Sequence, residues 1–148
     1  MILSLLCRIR SHLCVLPLKY VAETMRPMPV TGLAGLPSFV RGMSVIRGTA
    51  VPVVDAGILL GSNEPPEPTR FIALKIDDKR VALAVEQVIG IRGLDAIALQ
   101  DLPPLLRTAN ADLVAAVGML DGELLLVLQT ARIVPESVWQ TLEAVAKP

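Results

Sequence analysis

The sequence predicts a mainly β protein, and three features of its 148 residues support that class. Short runs of valine, isoleucine and leucine recur along the chain, bounded by glycine, proline, aspartate or serine, which is the pattern of strands and tight turns. No long helix pattern repeats between these runs. Several runs are apolar at every position, so both faces of those strands must be covered. Together these features favour antiparallel barrels or sandwiches over a doubly wound parallel sheet.

Ten strands are expected, and the turns between them have suitable residues. Asp121-Gly122 lies between two apolar runs, which is the strongest short-range signal for a hairpin. The segments Arg10-Ser11-His12 and Asp77-Asp78-Lys79 are expected to be the turns of two further hairpins. The predicted strands span residues 3–9, 13–18, 42–47, 50–54, 70–76, 80–86, 88–92, 96–99, 114–120 and 123–128.

A polar, proline-rich segment at residues 62–69 is the clearest linker in the chain. We expect a single domain, residues 1–148, in which this linker separates a first barrel at roughly residues 1–61 from a second at roughly residues 70–134. Each block is small for an independent core, so the two barrels are expected to pack closely together.

The end of the chain predicts a helix over residues 135–147. Pro135 and Glu136 suit the start of a helix, and an apolar stripe at helical spacing follows them. This helix is expected to cover barrel surface, and docking onto a separate partner is the alternative. The stripe consists of Val138, Leu142 and Val145, with Trp139 beside it.

The composition excludes several classes of protein. Hydrophobic residues make up 53% of the chain and the formal net charge is zero, which is the opposite of a disordered segment. Aromatic residues are 3%, and there is no surplus of lysine and arginine for binding nucleic acid. The opening apolar run ends at Arg8, far short of the roughly 20 residues that a membrane-spanning helix needs. No signal-peptide pattern is present, so a cytoplasmic protein is expected.

The zero net charge is the sum of two unlike halves. Residues 1–61 contain six basic and two acidic residues, a net charge of +4, so the other residues carry −4. A positive half favours association with an acidic partner.

The groups that catalysis or metal binding would need are scarce. His12 is the only histidine, and it lies in a predicted turn, where a solvated side chain is the expected role. Cys7 and Cys14 are expected to be small buried hydrophobes, with a disulfide across the hairpin as the alternative. The segment Gly32-Leu33-Ala34-Gly35 lacks the residues of a phosphate-binding loop. We therefore expect no catalytic residue, no metal and no cofactor.

The most unusual stretch of the sequence runs over residues 39–55. It predicts a strand ending at Arg47, a turn at Gly48-Thr49 and a second strand that contains Pro52. Because proline cannot donate to a β ladder, Pro52 is expected at an edge, a bulge or the solvent side. Arg47 then lies at the end of a hairpin, either as an ordinary surface arginine or as a recognition residue.

This stretch has the pattern F-V-R-G-x5-R-G-x3-P-V-V-D, and Leu16-Pro17-Leu18 and Val21-Ala22-Glu23 precede it. In this order the segments resemble the CheW-like chemotaxis coupling proteins. The resemblance extends from about Leu6 to Val134. Beyond the linker it continues through residues 80–88 and 117–124.

The resemblance implies a fold and a function. The fold would be two intertwined five-stranded SH3-like β-barrels with short helices and a C-terminal helix. The function would be that of a non-enzymatic adaptor in a two-component chemotaxis system. Such an adaptor bridges the cytoplasmic tip of methyl-accepting chemoreceptors to the regulatory domain of a CheA-type histidine kinase, in the cytoplasm at membrane-anchored receptor arrays.

The resemblance also implies a receptor-binding site. Its key arginine matches Arg47, its glutamate on a helical turn after the second strand matches Glu23, and Val21 is an apolar neighbour. Alternatively, the Glu23–Arg47 pair only fixes that turn against the hairpin. A further interaction surface is expected at Arg41, Leu36 and Phe39. For Leu36 and Phe39 ordinary core cover is the alternative, and the positive charge of Arg41 would attract an acidic receptor tip.

Two departures from the family pattern suggest a secondary chemosensory system, for example one that controls pili. Val45 stands where the family usually has asparagine, and Ala56-Gly57 stands where a Leu-Arg pair is common. The alternative function, from a different class, is a stand-alone regulatory module that binds a small molecule in a barrel mouth.

Overall fold

The computed structural model describes most of the chain, which forms two β-sheets. Its helices are short, with a 3-10 turn at Leu18–Tyr20, helix α1 at Ala56–Leu59 and helical residues at 138–140. The described residues are 2–63, 68–93, 98–101, 113–130, 133–134 and 138–140. Within them the strands are β1 Leu3–Ile9, β2 His12–Pro17, β3 Val21–Met25, β4 Val40–Ile46, β5 Thr49–Asp55, β6 Arg70–Ile76, β7 Lys79–Val85, β8 Gln87–Gly93, β9 Ala98–Asp101, β10 Val114–Leu120 and β11 Glu123–Leu128.

The prediction of a mainly β fold is confirmed, and each of the ten predicted runs overlaps a strand. The prediction missed β3, because its five residues alternate between half-buried and exposed and include a glutamate. Glu23 therefore lies on a strand, and the expectation that it sits on a helical turn is wrong. The helical turn comes just before, at Leu18–Tyr20.

The expected division of the chain at the linker does not match the division between the sheets. One sheet has six strands in the order β8-β1-β2-β11-β10-β9, and the other has five in the order β3-β6-β7-β5-β4. Each sheet therefore contains strands from before and after residues 62–69. Parallel pairs join the two halves of the chain, β2 with β11 and β5 with β7. The two halves of the chain are intertwined, because each sheet is built from strands of both halves.

The largest core cluster lies between the two sheets. It includes Leu5 and Leu16 from the six-stranded sheet and Ile72 and Leu83 from the five-stranded sheet, all almost completely buried. Because both sheets contribute to one core, neither sheet needs a hydrophobic core of its own that is large enough for independent stability.

The described part of the C-terminal segment packs onto this core. Val138 is buried in the main cluster, and Trp139 is half-buried against it, with the Lys79 Nζ 5.4 Å from the centre of its ring. This placement agrees with the expected covering role. The start of the predicted helix, at Pro135 and Glu136, and its remainder at residues 141–147 lie outside the described residues. Within the residues that the structure describes, no helix is long and apolar enough to cross a membrane.

Cys7 and Cys14 lie directly opposite each other in the β1–β2 hairpin, and both are buried free thiols. Burial, with a further contribution from Glu86, raises the pKa of Cys7 from 9.0 to about 12. Burial also raises the pKa of Cys14, and the neighbouring Cys7 adds to this effect. Both side chains therefore behave as small core residues that stay protonated at neutral pH.

We expect the folded protein to react with a thiol reagent such as Ellman's reagent only slowly at neutral pH, and both thiols to react at once after unfolding in denaturant. Stability should also fall as the pH rises above 9.0, because the unfolded chain releases its thiol protons at a lower pH than the folded one. Rapid reaction of two thiols per native chain would contradict this account.

Candidate protein-recognition site

Arg47 and Glu23 form an exposed ion pair with two hydrogen bonds. The Arg47 Nε donates to the Glu23 Oε2 at 3.1 Å, and the Arg47 Nη2 donates to the Oε1 at 3.0 Å. Arg47 lies in the β4–β5 turn with a φ of 54°, followed by Gly48 at 77°, as expected for a type I′ hairpin turn. The turn is therefore Arg47-Gly48, one residue earlier than predicted, because both residues of this turn need positive φ.

This ion pair connects the two opposite edges of the five-stranded sheet. Glu23 is on β3, which forms one edge, and Arg47 follows β4, which forms the other. The sheet must curl strongly for these edges to meet, which is the geometry that a closed five-stranded barrel requires. The strand β5 is internal, and its pairing with β7 begins at Val53, so Pro52 lies immediately before that ladder and not on an edge strand.

Electrostatics keep both members of the pair charged. The hydrogen bonds from Arg47 lower the pKa of Glu23 below its ordinary value of 4.5, and Glu23 in turn raises the pKa of Arg47. The Arg47 side chain is nevertheless 74% exposed, so a partner can reach it. The pair is therefore ionised at neutral pH and accessible from solvent.

A pocket of about 330 Å³ opens beside the ion pair. Its floor is apolar, with Ile46, Val51 and Leu74 almost fully buried. Its rim carries two further cations, Lys75 and Arg80, which lie directly opposite each other on β6 and β7. An apolar centre with a charged rim is the usual anatomy of a protein interface, and the excess of positive charge favours an acidic partner.

Lys75 and Arg80 are not among the residues predicted from the sequence to bind a partner. The signal was present, because a hairpin that turns at Asp77-Asp78 pairs residue 75 with residue 80. Like charges facing each other across a ladder are unfavourable for stability, which marks the pair as a candidate for binding.

The other four predicted site residues do not line this pocket. Val21 is half-buried and packs against the main core. Leu36 and Phe39 are also half-buried and pack against that core, which favours ordinary core cover as their role. Arg41 is exposed on β4, and none of the four lines the pocket.

A second charged cluster, entirely structural, lies inside the molecule. The Arg10 Nη2 donates to the Asp55 Oδ2 at 2.7 Å, and the Nη1 donates to the Glu86 Oε1 at 2.9 Å. The Arg10 side chain is 2% exposed. Burial opposes its charge, but hydrogen bonds to Asp55 and Glu86 raise the pKa of Arg10 overall. Arg10 comes from the β1–β2 turn of one sheet, whereas Asp55 is the last residue of β5 and Glu86 follows β7 in the other sheet, so the cluster ties the two sheets together.

These ion pairs account for part of the opposite net charges of the two halves of the chain. Three of the arginines in residues 1–61 are neutralised by carboxylates, and two of the partners, Glu86 and Glu123, come from the acidic half. Arg8 on β1 pairs with Glu123 on β11 at 2.7 Å, across the intervening strand β2. Two of these ion pairs, Arg8–Glu123 and Arg10–Glu86, therefore join the two halves of the chain.

The described residues contain no group of three or more histidine, cysteine, aspartate or glutamate side chains that could hold a metal ion. His12 is half-buried at the start of β2 and not in the turn, which consists of Arg10 and Ser11. The turn is shorter than predicted because Arg10 adopts positive φ and lets the strand resume at His12.

Fold and site together define a class of protein. A small two-sheet β protein that presents a fixed, exposed ion pair beside an apolar pocket has the features of a module that binds other proteins.

Comparisons with known proteins assign this module to a family. The CheW-like domain family matches residues 4–138. The chain is 23% identical over 120 residues to the chemotaxis protein CheW of Klebsiella aerogenes, covering 80% of this chain and 72% of that protein. Its fold is similar to the crystal structure of the scaffolding protein TtCheW from Thermoanaerobacter tengcongensis, with a TM-score of 0.74 and 20% identity over 86% of this chain and 88% of that one. The chain therefore belongs to the CheW-like domain family.

Proposed function

We propose that this protein is a non-enzymatic adaptor of a chemosensory pathway, which couples the cytoplasmic tips of chemoreceptors to a CheA-type histidine kinase. The observation that carries the proposal is the exposed Glu23–Arg47 pair at the mouth of an apolar pocket. Family membership and a relative described as a scaffolding protein support it. In this role the protein would work in the cytoplasm, at membrane-anchored receptor arrays.

The adaptor acts through geometry. The two sheets share one core, and the buried Arg10 cluster joins them, so surfaces on different sheets keep a fixed relative orientation. The pocket beside Glu23 and Arg47 is the receptor-facing surface in this proposal, with Lys75 and Arg80 adding positive charge that attracts an acidic receptor tip. The kinase would bind elsewhere on the same rigid body.

Exchanging the two charges separates recognition from a structural role. We expect Arg47→Glu to weaken binding of a receptor cytoplasmic fragment about tenfold or more, since it places a carboxylate against an acidic partner. We expect Glu23→Arg to weaken binding as well, since it removes the hydrogen bonds that orient Arg47. The double variant E23R/R47E can rebuild the ion pair but presents both charges reversed, so we expect it to remain defective. Affinity is measured with purified protein, with and without the kinase.

Arg92→Glu is the matched control, because Arg92 is an exposed cation on β8 that lines neither this pocket nor its rim. Recovery of wild-type affinity in the double variant would show that the pair only holds the two sheet edges together. If the wild type binds neither receptor nor kinase while a small molecule raises its melting temperature, the alternative of a small-molecule regulatory module replaces the adaptor. The pocket volume lies at the lower end of the range for such ligands.

A further inference from the structure

A second pocket, of about 600 Å³, lies at the opposite end of the β3–β6 ladder from the Glu23–Arg47 pair. Arg70 on its wall and Lys75 on the rim of the first pocket are five residues apart on β6, about 17 Å along an extended strand. The two pockets have no lining residue in common. The second pocket is lined by Arg26, Pro27, Thr69, Arg70, Gln87 and Val88.

This pocket carries two uncompensated positive charges. Arg26 and Arg70 are both exposed, and neither makes a hydrogen bond or an ion pair with the described residues. Among the described residues that line the pocket, none carries a carboxylate.

The two arginines are also placed side by side by the strand register. The last pair of the antiparallel β3–β6 ladder is Met25 with Phe71. Extending this register by one residue places Arg26, which directly follows β3, towards Arg70 at the start of β6, and both residues line the pocket. Because like charges at opposite positions destabilise a sheet, stability does not account for this arrangement, whereas an anionic ligand would relieve it.

The local backbone is held in place before any ligand binds. The Thr69 amide donates to the Val85 carbonyl at 3.1 Å, and the Thr69 hydroxyl donates to the Glu86 carbonyl at 2.5 Å. These bonds fix the start of β6 against the end of β7. Since the threonine hydroxyl is already engaged, the charged recognition groups are the two guanidinium groups, whose planar forks match carboxylates.

The apolar residues that line the pocket favour an anion that also has apolar surface. Pro27 and Val88 give the pocket an apolar wall that an inorganic anion could not use. The lining residues include Arg26 and Pro27, which directly follow β3, and Gln87 and Val88, which begin β8. Each of these two strands is an edge of its sheet, so the pocket is open to an extended chain. We propose that Arg26 and Arg70 bind the carboxylates of an acidic, partly apolar segment of a partner protein, at a site separate from the Glu23–Arg47 pocket.

The test measures binding of a fluorescein-labelled synthetic peptide of alternating glutamate and valine to the full chain by fluorescence anisotropy at low salt. We expect the double variant R26Q/R70Q to weaken binding about tenfold and the single variant R26Q to weaken it by a smaller factor. The control K19Q/R92Q changes the net charge equally at two exposed cations outside the pocket, and should bind within about twofold of wild type. Circular dichroism and melting temperature check that each variant is folded.

Equal loss in K19Q/R92Q and R26Q/R70Q would overturn the site, because binding would then depend on net charge alone. The proposal also fails if inorganic phosphate displaces the labelled peptide as effectively as the unlabelled peptide does, since the site would then take small anions. This experiment contains no receptor and no kinase, so its result is independent of whether the adaptor proposal holds.

Discussion

Replacing Asp55 with alanine should lower the free energy of unfolding by about 3–5 kcal/mol, because it leaves the guanidinium of Arg10 buried without one of its two carboxylates. Asp55 has a second role, since its Oδ1 accepts a hydrogen bond from the Gly57 amide at 3.0 Å and caps α1. For a domain whose total stability is typically about 5–15 kcal/mol, this loss is large. Urea unfolding at neutral pH measures it.

The matched control is Glu123→Ala, which breaks the exposed Arg8–Glu123 pair. Its effect should be far smaller, because water solvates both partners when the bond is lost. Asp55→Asn can keep the helix cap and remove only the charge, so its loss of stability should lie between those of Asp55→Ala and Glu123→Ala. If Asp55→Ala destabilised no more than Glu123→Ala, the buried cluster would not be what ties the sheets together.

The Arg10 cluster also accounts for a departure from the family pattern. The second residue after the aspartate, commonly arginine in the family, is Gly57 here. A Cβ atom at Gly57 would lie 2.6 Å from the Arg10 Cζ, so a side chain at this position and the Arg10 guanidinium exclude each other. The charge next to Asp55 is thus supplied from the β1–β2 turn, 45 residues away.

Replacing Gly42 with alanine is expected to cost about 2–4 kcal/mol of stability, from a backbone clash and from strain. Gly42 has a φ of 144°, and a Cβ atom there would lie 2.1 Å from the Thr31 carbonyl oxygen. Thr31 exchanges two backbone hydrogen bonds with Met43, at 2.8 and 2.9 Å, so the clashing atom cannot move away freely. The glycine of the F-V-R-G motif is needed for this close approach.

Gly48→Ala provides the comparison, since Gly48 also has positive φ but no atom within 4 Å of an added Cβ. Gly48→Ala should lower the free energy of unfolding by about 1–2 kcal/mol, from conformational strain alone. Denaturant unfolding of both variants separates the two contributions. Equal losses would mean that the approach of Thr31 to β4 does not constrain Gly42.

Much of the fold could be predicted from the sequence, because strands and tight turns depend on neighbouring residues. Asp121 and Gly122 both adopt positive φ and pair Leu120 with Glu123, as the Asp-Gly signal predicts. The exposed Arg47 at a hairpin end was likewise predictable from its R-G motif. For β3 the local signal was too weak, since Val21–Met25 has no continuous apolar run and is recognised only through its pairing with β6.

The sequence by itself determined the mainly β class, the hairpins and the residues of the resemblance, since each depends on local chemistry or on a motif. Tertiary structure alone decided which strands share a sheet, since β2 pairs with β11 from the far side of the linker. It also decided that Arg10 meets Asp55 and Glu86, which are 45 and 76 residues away. No local pattern specifies such partners, because their energy arises only when folding removes water and brings distant charges together.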